Sequence, residues 1–169
     1  MSTSTQSFYT NGRPVPVTHP VTHNPTMIEI KRLRQGDEVL AQEIVDKFWP
    51  EGRLNETFLS KQTNYLLAAY VDDAFAGFLY AFELDRLEQE RPMMFFYSID
   101  VLEKYRRQGI GKRLIEELNR ICAQRNVSKM YVLTDEANTA ALKLYQSTGG
   151  KRVMPDNVLF VYKEFADEG

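Results

Sequence analysis

One short segment of the sequence has the composition of an anion-binding turn. It lies between a predicted strand that ends at Val101 and a predicted helix, and its residues are Arg106, Arg107, Gln108, Gly109, Ile110, Gly111, Lys112 and Arg113. The first N–H groups of a helix have no partner inside the helix, and the helix dipole favours a negative charge there. Two glycines let the backbone approach a bulky anion closely. The segment therefore predicts a diphosphate site, with a plain surface turn as the alternative.

Two familiar nucleotide-binding motifs do not fit this segment. A Walker A loop requires a glycine five residues before Gly111 and a serine or threonine after Lys112, but the sequence has Arg106 and Arg113 there. A dinucleotide-binding loop requires a small third residue, and Leu114 stands at that position. The predicted anion site belongs to neither class.

A second pair of residues, on the next predicted helix, is spaced to face one ligand. Asn138 and Tyr145 are seven residues apart, which is two helical turns, so both side chains can lie on one face. Ala141, Leu142 and Leu144 make part of this helix apolar. A core position for the Tyr145 ring is therefore the alternative to a functional one.

Periodicity places these groups on an α/β (α+β) framework. Apolar runs predict strands at Met27–Leu33, Asn64–Val71, Phe75–Phe82, Met93–Val101, Lys129–Leu133 and Asn157–Phe165. Helical spacing predicts helices over Asp37–Phe48, Asn55–Lys61, Gly109–Arg125 and Asn138–Ser147. The residues 72–74 predict a hairpin turn. We expect a central, partly antiparallel sheet.

Composition indicates one folded domain with a tail. The chain has 169 residues, of which 43% are hydrophobic and 26% charged, as is typical of a single globular domain. Residues 1–26 are rich in Pro, Ser and Thr and predict a flexible extension, which leaves residues 27–169 as the domain. Pro20 disfavours a helix that would align His19 and His23, so we expect no metal site.

Charge and cysteine content limit the partners and the compartment. The net charge of −2 argues against a general nucleic-acid binder. Cys122 is the only cysteine, which favours a reducing, cytoplasmic setting. No apolar run approaches the ~20 residues of a membrane span, and the N-terminus lacks a signal-peptide pattern, so we expect no membrane partner.

Together the two motifs resemble those of the GNAT superfamily of acyl-CoA-dependent N-acetyltransferases. Arg106-x-x-Gly109-x-Gly111 matches the pyrophosphate loop of that family, Q/R-x-x-G-x-G/A, and the segment from Asn138 to Tyr145 matches its N-x-x-A-x-x-x-Y pattern. The resemblance implies acetyl-CoA as the cofactor and CoA as a product. It also implies a GNAT-like, mostly antiparallel central sheet flanked by helices on both faces, and a homodimer.

Within that superfamily, residues 64–145 most resemble the type I aminoglycoside 3-N-acetyltransferases. The shared residues are Leu87-Glu88-Gln89-x-Arg91, Phe96-Tyr97, the run from Arg106 to Ile110, and Tyr131-Val132-x-x-Asp135. Ser98 stands where an Asp is expected in that family, and Asn138 where those enzymes can carry an acid. The resemblance implies acetylation of an aminoglycoside amine by a resistance enzyme.

The resemblance also assigns roles to individual residues. Backbone N–H groups from Arg107 to Arg113 would hold the CoA pyrophosphate. The backbone of Ile99 and Val101 would pair with the pantetheine arm like an added strand, with the Val101 N–H near the acetyl oxygen. Tyr145 would protonate the departing thiolate, and Asn138 would hydrogen-bond the cofactor.

The catalytic base is left open among several carboxylates. Asp135 and Glu88 are the first candidates, and Asp100 is another whose side chain alternates away from its neighbours. Helix capping by Asp135 and ordinary solvation of Glu88 are the alternatives. The predicted acceptor-binding residues are Glu88, Tyr97, Asp100, Asp135 and Glu136. An acid-rich stretch from Glu83 to Asp100 would attract a polycation.

The leading hypothesis is an acetyl-CoA-dependent N-acetyltransferase in which an amine of an aminoglycoside attacks the thioester directly. A polyamine, another small cationic amine or a peptide is the alternative acceptor. A non-catalytic module that senses acyl-CoA is the alternative of a different class.

Overall fold

In the part of the chain that the structure describes, a five-stranded sheet forms the centre of the fold. The computed structural model describes residues 9–10, 13–14 and 27–153. Two short strands, β1 (Tyr9–Thr10) and β2 (Arg13–Pro14), pair with each other. The central sheet contains, in spatial order, β3 (Ile28–Leu33), β4 (Asn64–Val71), β5 (Ala74–Leu84), β6 (Met93–Val101) and β7 (Lys129–Val132). Its neighbouring strands are antiparallel except β6 and β7, which are parallel.

Helices cover both faces of this sheet. They are α1 (Glu38–Phe48), α2 (Ile110–Gln124) and α3 (Thr139–Ser147), and a short 3₁₀ helix spans Glu103–Tyr105. α2 and α3 pack on one face, with Leu79, Phe96 and Leu114 in the buried core there. α1 packs on the other face, around Ile44 and Phe78. The predicted fold class, with a mostly antiparallel central sheet and helices on both faces, is confirmed.

Most of the predicted elements are present with bounds close to those expected. The turn at residues 72–74 forms a hairpin in which Asp72 and Asp73 have φ angles of 47° and 66°, the left-handed conformation of tight hairpin turns. α1 ends at Phe48, just before Trp49-Pro50. None of the helices in the described ranges is long and apolar enough to cross a membrane.

Two sequence predictions fall partly or wholly outside the described residues. The strand predicted at Asn157–Phe165 lies outside them, as does most of the segment 1–26. The flexible extension and the boundary of the domain at residue 27 therefore stay predictions.

The helix predicted over Asn55–Lys61 is wrong. Residues 56–60 form turns instead. The Asn55 side-chain oxygen accepts hydrogen bonds from the N–H of Thr57 at 3.0 Å and from its hydroxyl at 2.9 Å. The Phe58 N–H donates to the Asn55 carbonyl at 2.8 Å, the spacing of a tight turn. Such local side-chain bonds compete with helical backbone bonds, so a turn forms here.

Candidate active site

The sheet opens between β6 and β7. Their parallel pairing runs from Met93 opposite Lys129 to Phe96 opposite Val132 and then ends, whereas β6 continues to Val101. In the described parts of the chain, no strand pairs with β6 on this side beyond Phe96. We call this side of β6, from Tyr97 to Val101, the open edge.

The backbone of Ile99 and Val101 faces the open edge. The Leu102 N–H donates to the Ala76 carbonyl at 2.8 Å, so Leu102 bonds toward β5. Opposed residues in an antiparallel pair alternate between hydrogen-bonded and non-bonded positions, so Ile99 and Val101 point their N–H and C=O groups away from β5. This orientation supports the role that the sequence predicted for both residues.

A β-bulge at Tyr97 changes which side chains face which helices. Tyr80 on β5 is opposite Ser98, and the next residue, Ala81, is opposite Phe96, so Tyr97 is an extra residue. Before the bulge, Phe96 faces the α2 side, and after it Ile99 does. The Tyr97 ring stacks on Tyr80, on the α1 side of the sheet. The bulge therefore places an aromatic ring on the face opposite α2, at the start of the open edge.

The loop before α2 presents a row of backbone N–H groups. Within the part of the chain that the structure describes, the N–H groups from Arg107 to Lys112 have no hydrogen-bond acceptor. The Arg113 N–H donates to the Gly109 carbonyl at 3.0 Å, which closes the first helical turn, so the predicted row ends one residue earlier. Gly109 has a φ of 82°, and Ile110 is 1% exposed and anchors the helix in the core. These N–H groups can bind an anion.

Four of the loop side chains have partners within the protein. Arg106 donates to the Val101 carbonyl at 2.9 Å, and Gln108 donates to the Lys104 carbonyl at 3.2 Å. Arg113 donates to the Ile28 carbonyl at 3.1 Å. Lys112 forms an exposed ion pair with Glu116. The backbone of the loop is thus available to a diphosphate, whereas Arg106, Lys112 and Arg113 already have partners.

Asp100 lies at the open edge. Its Oδ1 accepts the Val101 N–H at 2.7 Å and lies 3.4 Å from Arg106 Nη2. The N–H that was expected near the acetyl oxygen therefore has an acceptor in the free protein. Val101 is also the residue of β6 nearest the loop. A pantetheine arm that extends from the loop along the edge therefore contacts Val101 before Ile99. The Ile99 N–H is therefore a second candidate donor to the acetyl oxygen, and the assignment to Val101 stays a prediction.

Two glycines control close contacts around the open edge. A Cβ on Gly77 would lie 2.6 Å from the Asp100 carbonyl oxygen, which is shorter than any tolerated contact. Gly77 therefore allows β5 to support β6 directly behind the edge. A Cβ on Gly111 would lie 3.1 Å from Leu144 Cδ2. A side chain at Gly111 would therefore crowd the packing of α2 against α3, and the role of Gly111 at a diphosphate stays a prediction.

α3 carries the predicted proton donor beside the open edge. Tyr145 is half-buried, and its ring packs edge-on against Phe96 with centroids 5.6 Å apart. Burial raises the pKa of the Tyr145 hydroxyl, so its proton is retained across the neutral range. Asn138 is the N-cap of α3, and its side-chain oxygen accepts the Ala141 N–H at 3.0 Å. That cap leaves only the Asn138 amide NH₂ for a cofactor.

The predicted acids differ in whether they have partners. Glu88 pairs with Arg86, and Glu136 pairs with Arg152 at 2.7 Å. The Arg152 guanidinium holds the pKa of Glu136 below its usual value. Asp135 is exposed and does not cap α3, because Asn138 has that role. Among the described residues, Asp135 has no cationic partner and is the most available carboxylate near α3.

Glu83 belongs to a structural cluster that the sequence did not reveal. It is 8% exposed and accepts the Tyr65 hydroxyl at 2.6 Å and two bonds from Arg125, at 2.7 and 2.9 Å. The Arg125 hydrogen bonds hold the pKa of Glu83 below its usual range. The expectation that Glu83 helps to attract a polycation is therefore wrong, because its carboxylate is buried and fully engaged.

The loop, the open edge and the α3 tyrosine have the arrangement expected for acyl-CoA-dependent transfer. A family model described as the acetyltransferase (GNAT) family matches residues 30–149. The chain belongs to this family. Acetyl-CoA fits as the co-substrate of a GNAT acetyltransferase, since unpaired N–H groups for its diphosphate adjoin an unpaired strand edge for its amide-containing arm.

Solved structures share this fold. An aminoglycoside acetyltransferase from an uncultured soil metagenomic sample, in complex with sisomicin, is 22% identical over 82% of this chain and 97% of that one, with a TM-score of 0.69. The aminoglycoside N-acetyltransferase AAC(6')-Iy in complex with CoA is 20% identical over 86% of this chain and 100% of that one, with a TM-score of 0.70.

The shared fold extends to an enzyme with a protein acceptor. A ribosomal-protein-alanine N-acetyltransferase from Brucella melitensis biovar Abortus 2308 is 21% identical over 81% of this chain and 99% of that one, with a TM-score of 0.67. No curated protein sequence matches the chain. The comparisons thus establish the family and the fold.

Proposed function

We propose that this GNAT acetyltransferase transfers the acetyl group of acetyl-CoA to a primary amine of an aminoglycoside. The observation that carries the transfer is the open edge of β6, which adjoins both the unpaired N–H groups of the loop and Tyr145 on α3. The resemblance of residues 64–145 to aminoglycoside acetyltransferases supports the acceptor. Several structures of the same fold are also aminoglycoside acetyltransferases.

Each step of amine acetylation has a candidate residue. A carboxylate, for which Asp135 is the first candidate and Glu88 the second, takes a proton from the ammonium group of the acceptor. The neutral nitrogen then attacks the thioester carbonyl carbon, while the Ile99 N–H donates to the carbonyl oxygen. The C–N bond forms, the C–S bond breaks, and the Tyr145 hydroxyl gives its proton to the sulfur. The second nitrogen proton, which amide formation releases, then restores the Tyr145 hydroxyl.

The position of the acetylated amine is the finer part of the proposal. The segment Leu87-Glu88-Gln89-x-Arg91 favours the 3-amine, whereas one structure of similar fold is a 6′ enzyme. Nuclear magnetic resonance of the acetylated product identifies the nitrogen directly. A cytoplasmic location and a homodimer also stay predictions, and sedimentation of the purified protein tests the second.

Release of free thiol tests the proposed function. We expect acetyl-CoA with an aminoglycoside such as sisomicin to release CoA above the rate of hydrolysis. Tyr145→Phe should slow this release about a hundredfold, because the proton donor to the sulfur is lost. The dissociation constant for CoA should change less than twofold, as measured by calorimetry.

Tyr131→Phe is the matched control, since Tyr131 is another half-buried tyrosine on the neighbouring strand, on the opposite face of the sheet. It should leave the rate unchanged. If CoA is released with polyamines or peptides but not with aminoglycosides, the acceptor is a polyamine or a peptide instead of an aminoglycoside. No release across the whole amine panel, with CoA still bound, would identify the protein as an acyl-CoA-binding module.

A further inference from the structure

Tyr97 lies at one end of the open edge, and the loop before α2 adjoins the other end. It is the extra residue of the β6 bulge and is 54% exposed. The edge from Tyr97 to Val101 is about 13 Å long at the usual rise of a strand. A donor that is anchored at the loop and paired along this edge, with its acetyl oxygen on the Ile99 N–H, has its reactive end within two residues of Tyr97. The ring of Tyr97 therefore borders the place where the acceptor must enter.

The Tyr97 ring is held in position by its neighbours. Tyr80 lies nearly parallel to it, with centroids 4.9 Å apart and planes at 30°. Phe82 and Phe95 contact it edge-on at 5.8 and 5.5 Å. Burial, together with the nearby Tyr97 hydroxyl, raises the pKa of Tyr80 to about 12, so the supporting ring stays uncharged. A ring held in this way loses little freedom when a ligand binds.

Four of the carboxylates expected to bind a polycation already have cationic partners. Glu83, Glu88, Asp100 and Glu136 each pair with an arginine. To bind an ammonium group, each must give up or share that arginine. The exposed face of Tyr97 requires no such exchange. Besides the exposed Asp135, the structure thus offers the acceptor an aromatic surface that needs no exchange of partners.

We propose that the exposed face of Tyr97, supported by Tyr80, binds the ring of an acceptor in which a primary amine is carried on a ring, such as an amino sugar. This inference rests on the proposed acetyl transfer and adds the part of the acceptor that is recognised. An aromatic face binds the C–H surface of a sugar ring and attracts an ammonium group attached to it. A linear polyamine presents charge but no ring, so it gains much less from this face.

Kinetics with two acceptors tests the inference. Sisomicin is the ring-bearing probe and spermine is the linear one. Tyr97→Ala should raise the KM for sisomicin about tenfold and the KM for spermine less than twofold, with kcat and the dissociation constant for CoA nearly unchanged. Tyr97→Phe should restore the KM for sisomicin to within about twofold, because the ring face remains.

Tyr131→Ala is the matched control. Tyr131 stacks on Phe95 at 4.9 Å on the same face of the sheet but lies one strand away from the open edge. It should lower stability as Tyr97→Ala does while leaving both KM values within twofold. Tyr97→Leu, which keeps an apolar side chain, replaces Tyr97→Ala if urea unfolding shows that the alanine variant is not folded.

The outcomes separate the inference from the proposed function. The inference would be overturned if Tyr97→Ala changed the KM for both probes equally or changed neither. It would also be overturned if Tyr131→Ala produced the same change as Tyr97→Ala. Acetyl transfer would stand in each of these cases. Absence of thiol release from the wild-type protein would overturn the proposed function. In that case, calorimetry of sisomicin binding to the CoA-saturated protein tests the inference. Binding to the wild type that is lost in Tyr97→Ala supports the inference, and absence of binding to the wild type contradicts it.

Discussion

The two ends of α2 are both crowded with polar groups, but they differ in whether those groups have partners. At its C-terminal end, Arg125 and Tyr65 donate three hydrogen bonds to the buried carboxylate of Glu83. We call these three residues the Glu83 cluster. At the N-terminal end, the N–H groups from Arg107 to Lys112 have no acceptor within the described ranges. One end is closed by the protein itself, and the other is open to a ligand.

This difference shows which polar residues indicate function. Charge density alone made the stretch from Glu83 to Asp100 look like an acceptor site, yet Glu83 is a structural clamp between β5 and α2. Unmet hydrogen-bonding capacity is the better indicator, because N–H groups without an acceptor in the protein are available to a ligand.

The largest expected effect is at the closed end. Glu83→Ala should lower the free energy of unfolding by about 3 kcal/mol, because it leaves Arg125 and the Tyr65 hydroxyl without their acceptor. Urea denaturation measures the loss. Glu117→Ala, which removes a pair with Arg120 at the surface of the same helix, is the control and should cost about 0.5 kcal/mol. A matching loss of CoA affinity in Glu83→Ala would remove the distinction between the two ends.

The same contribution should disappear in acid. The folded-state pKa of Glu83 is lowered from the model-peptide value of 4.5, mainly by the Arg125 hydrogen bonds. Its stabilisation is therefore fully present above pH 4.5 and is lost as the pH falls through the lower folded value. The difference in unfolding free energy between wild type and Glu83→Gln should shrink over that range. A difference that stays constant below pH 4.5 would show that ionisation of Glu83 is not its source.

A smaller effect is expected at the open end. Gly109→Val should weaken CoA binding about tenfold, because a β-branched residue is strained at a φ of 82° and shifts the N–H groups of the loop. Calorimetry measures the affinity. Gly36→Val is the matched control, since Gly36 has a φ of 101° and open space around it at the start of α1. Unchanged CoA affinity in Gly109→Val would mean that the loop does not bind the diphosphate.

The smallest effect is expected at Asp100. Asp100→Ala should raise the affinity for CoA about threefold, because the Val101 N–H then has no internal acceptor to exchange when the cofactor arm pairs with the edge. Asp100→Asn keeps a side-chain oxygen and should bind CoA like the wild type. A weaker affinity in Asp100→Ala would instead assign Asp100 a direct part in holding the cofactor.

The sequence predicted the elements more completely than the contacts at the site. Strands β3 to β7 and helices α1 to α3 follow from local periodicity, and the glycine loop was found from its composition. The bulge at Tyr97 and the contact of Asp100 with Val101 depend on the pairing of β6 with β5, which no local pattern encodes. The helix expected at residues 55–61 failed because Asn55 prefers a turn.

One signal for the Glu83 cluster was present in the sequence. Leu79, Ala81 and Glu83 alternate along β5, so Glu83 continues the face that packs against α2. A carboxylate on a buried face requires a cationic or hydroxyl partner. The sequence did not show that the partners are Arg125 and Tyr65, because both lie far from Glu83 along the chain.

Gly77 has a consequence for how such an enzyme can change over evolutionary time. Because no side chain fits between it and the carbonyl of Asp100, the strand behind the open edge is closed to variation at this point. Adaptation to new acceptors must therefore act through positions whose side chains point outward, such as Tyr97 and Asp135. The scaffold remains fixed at residue 77, while the rim that meets the acceptor is free to diversify.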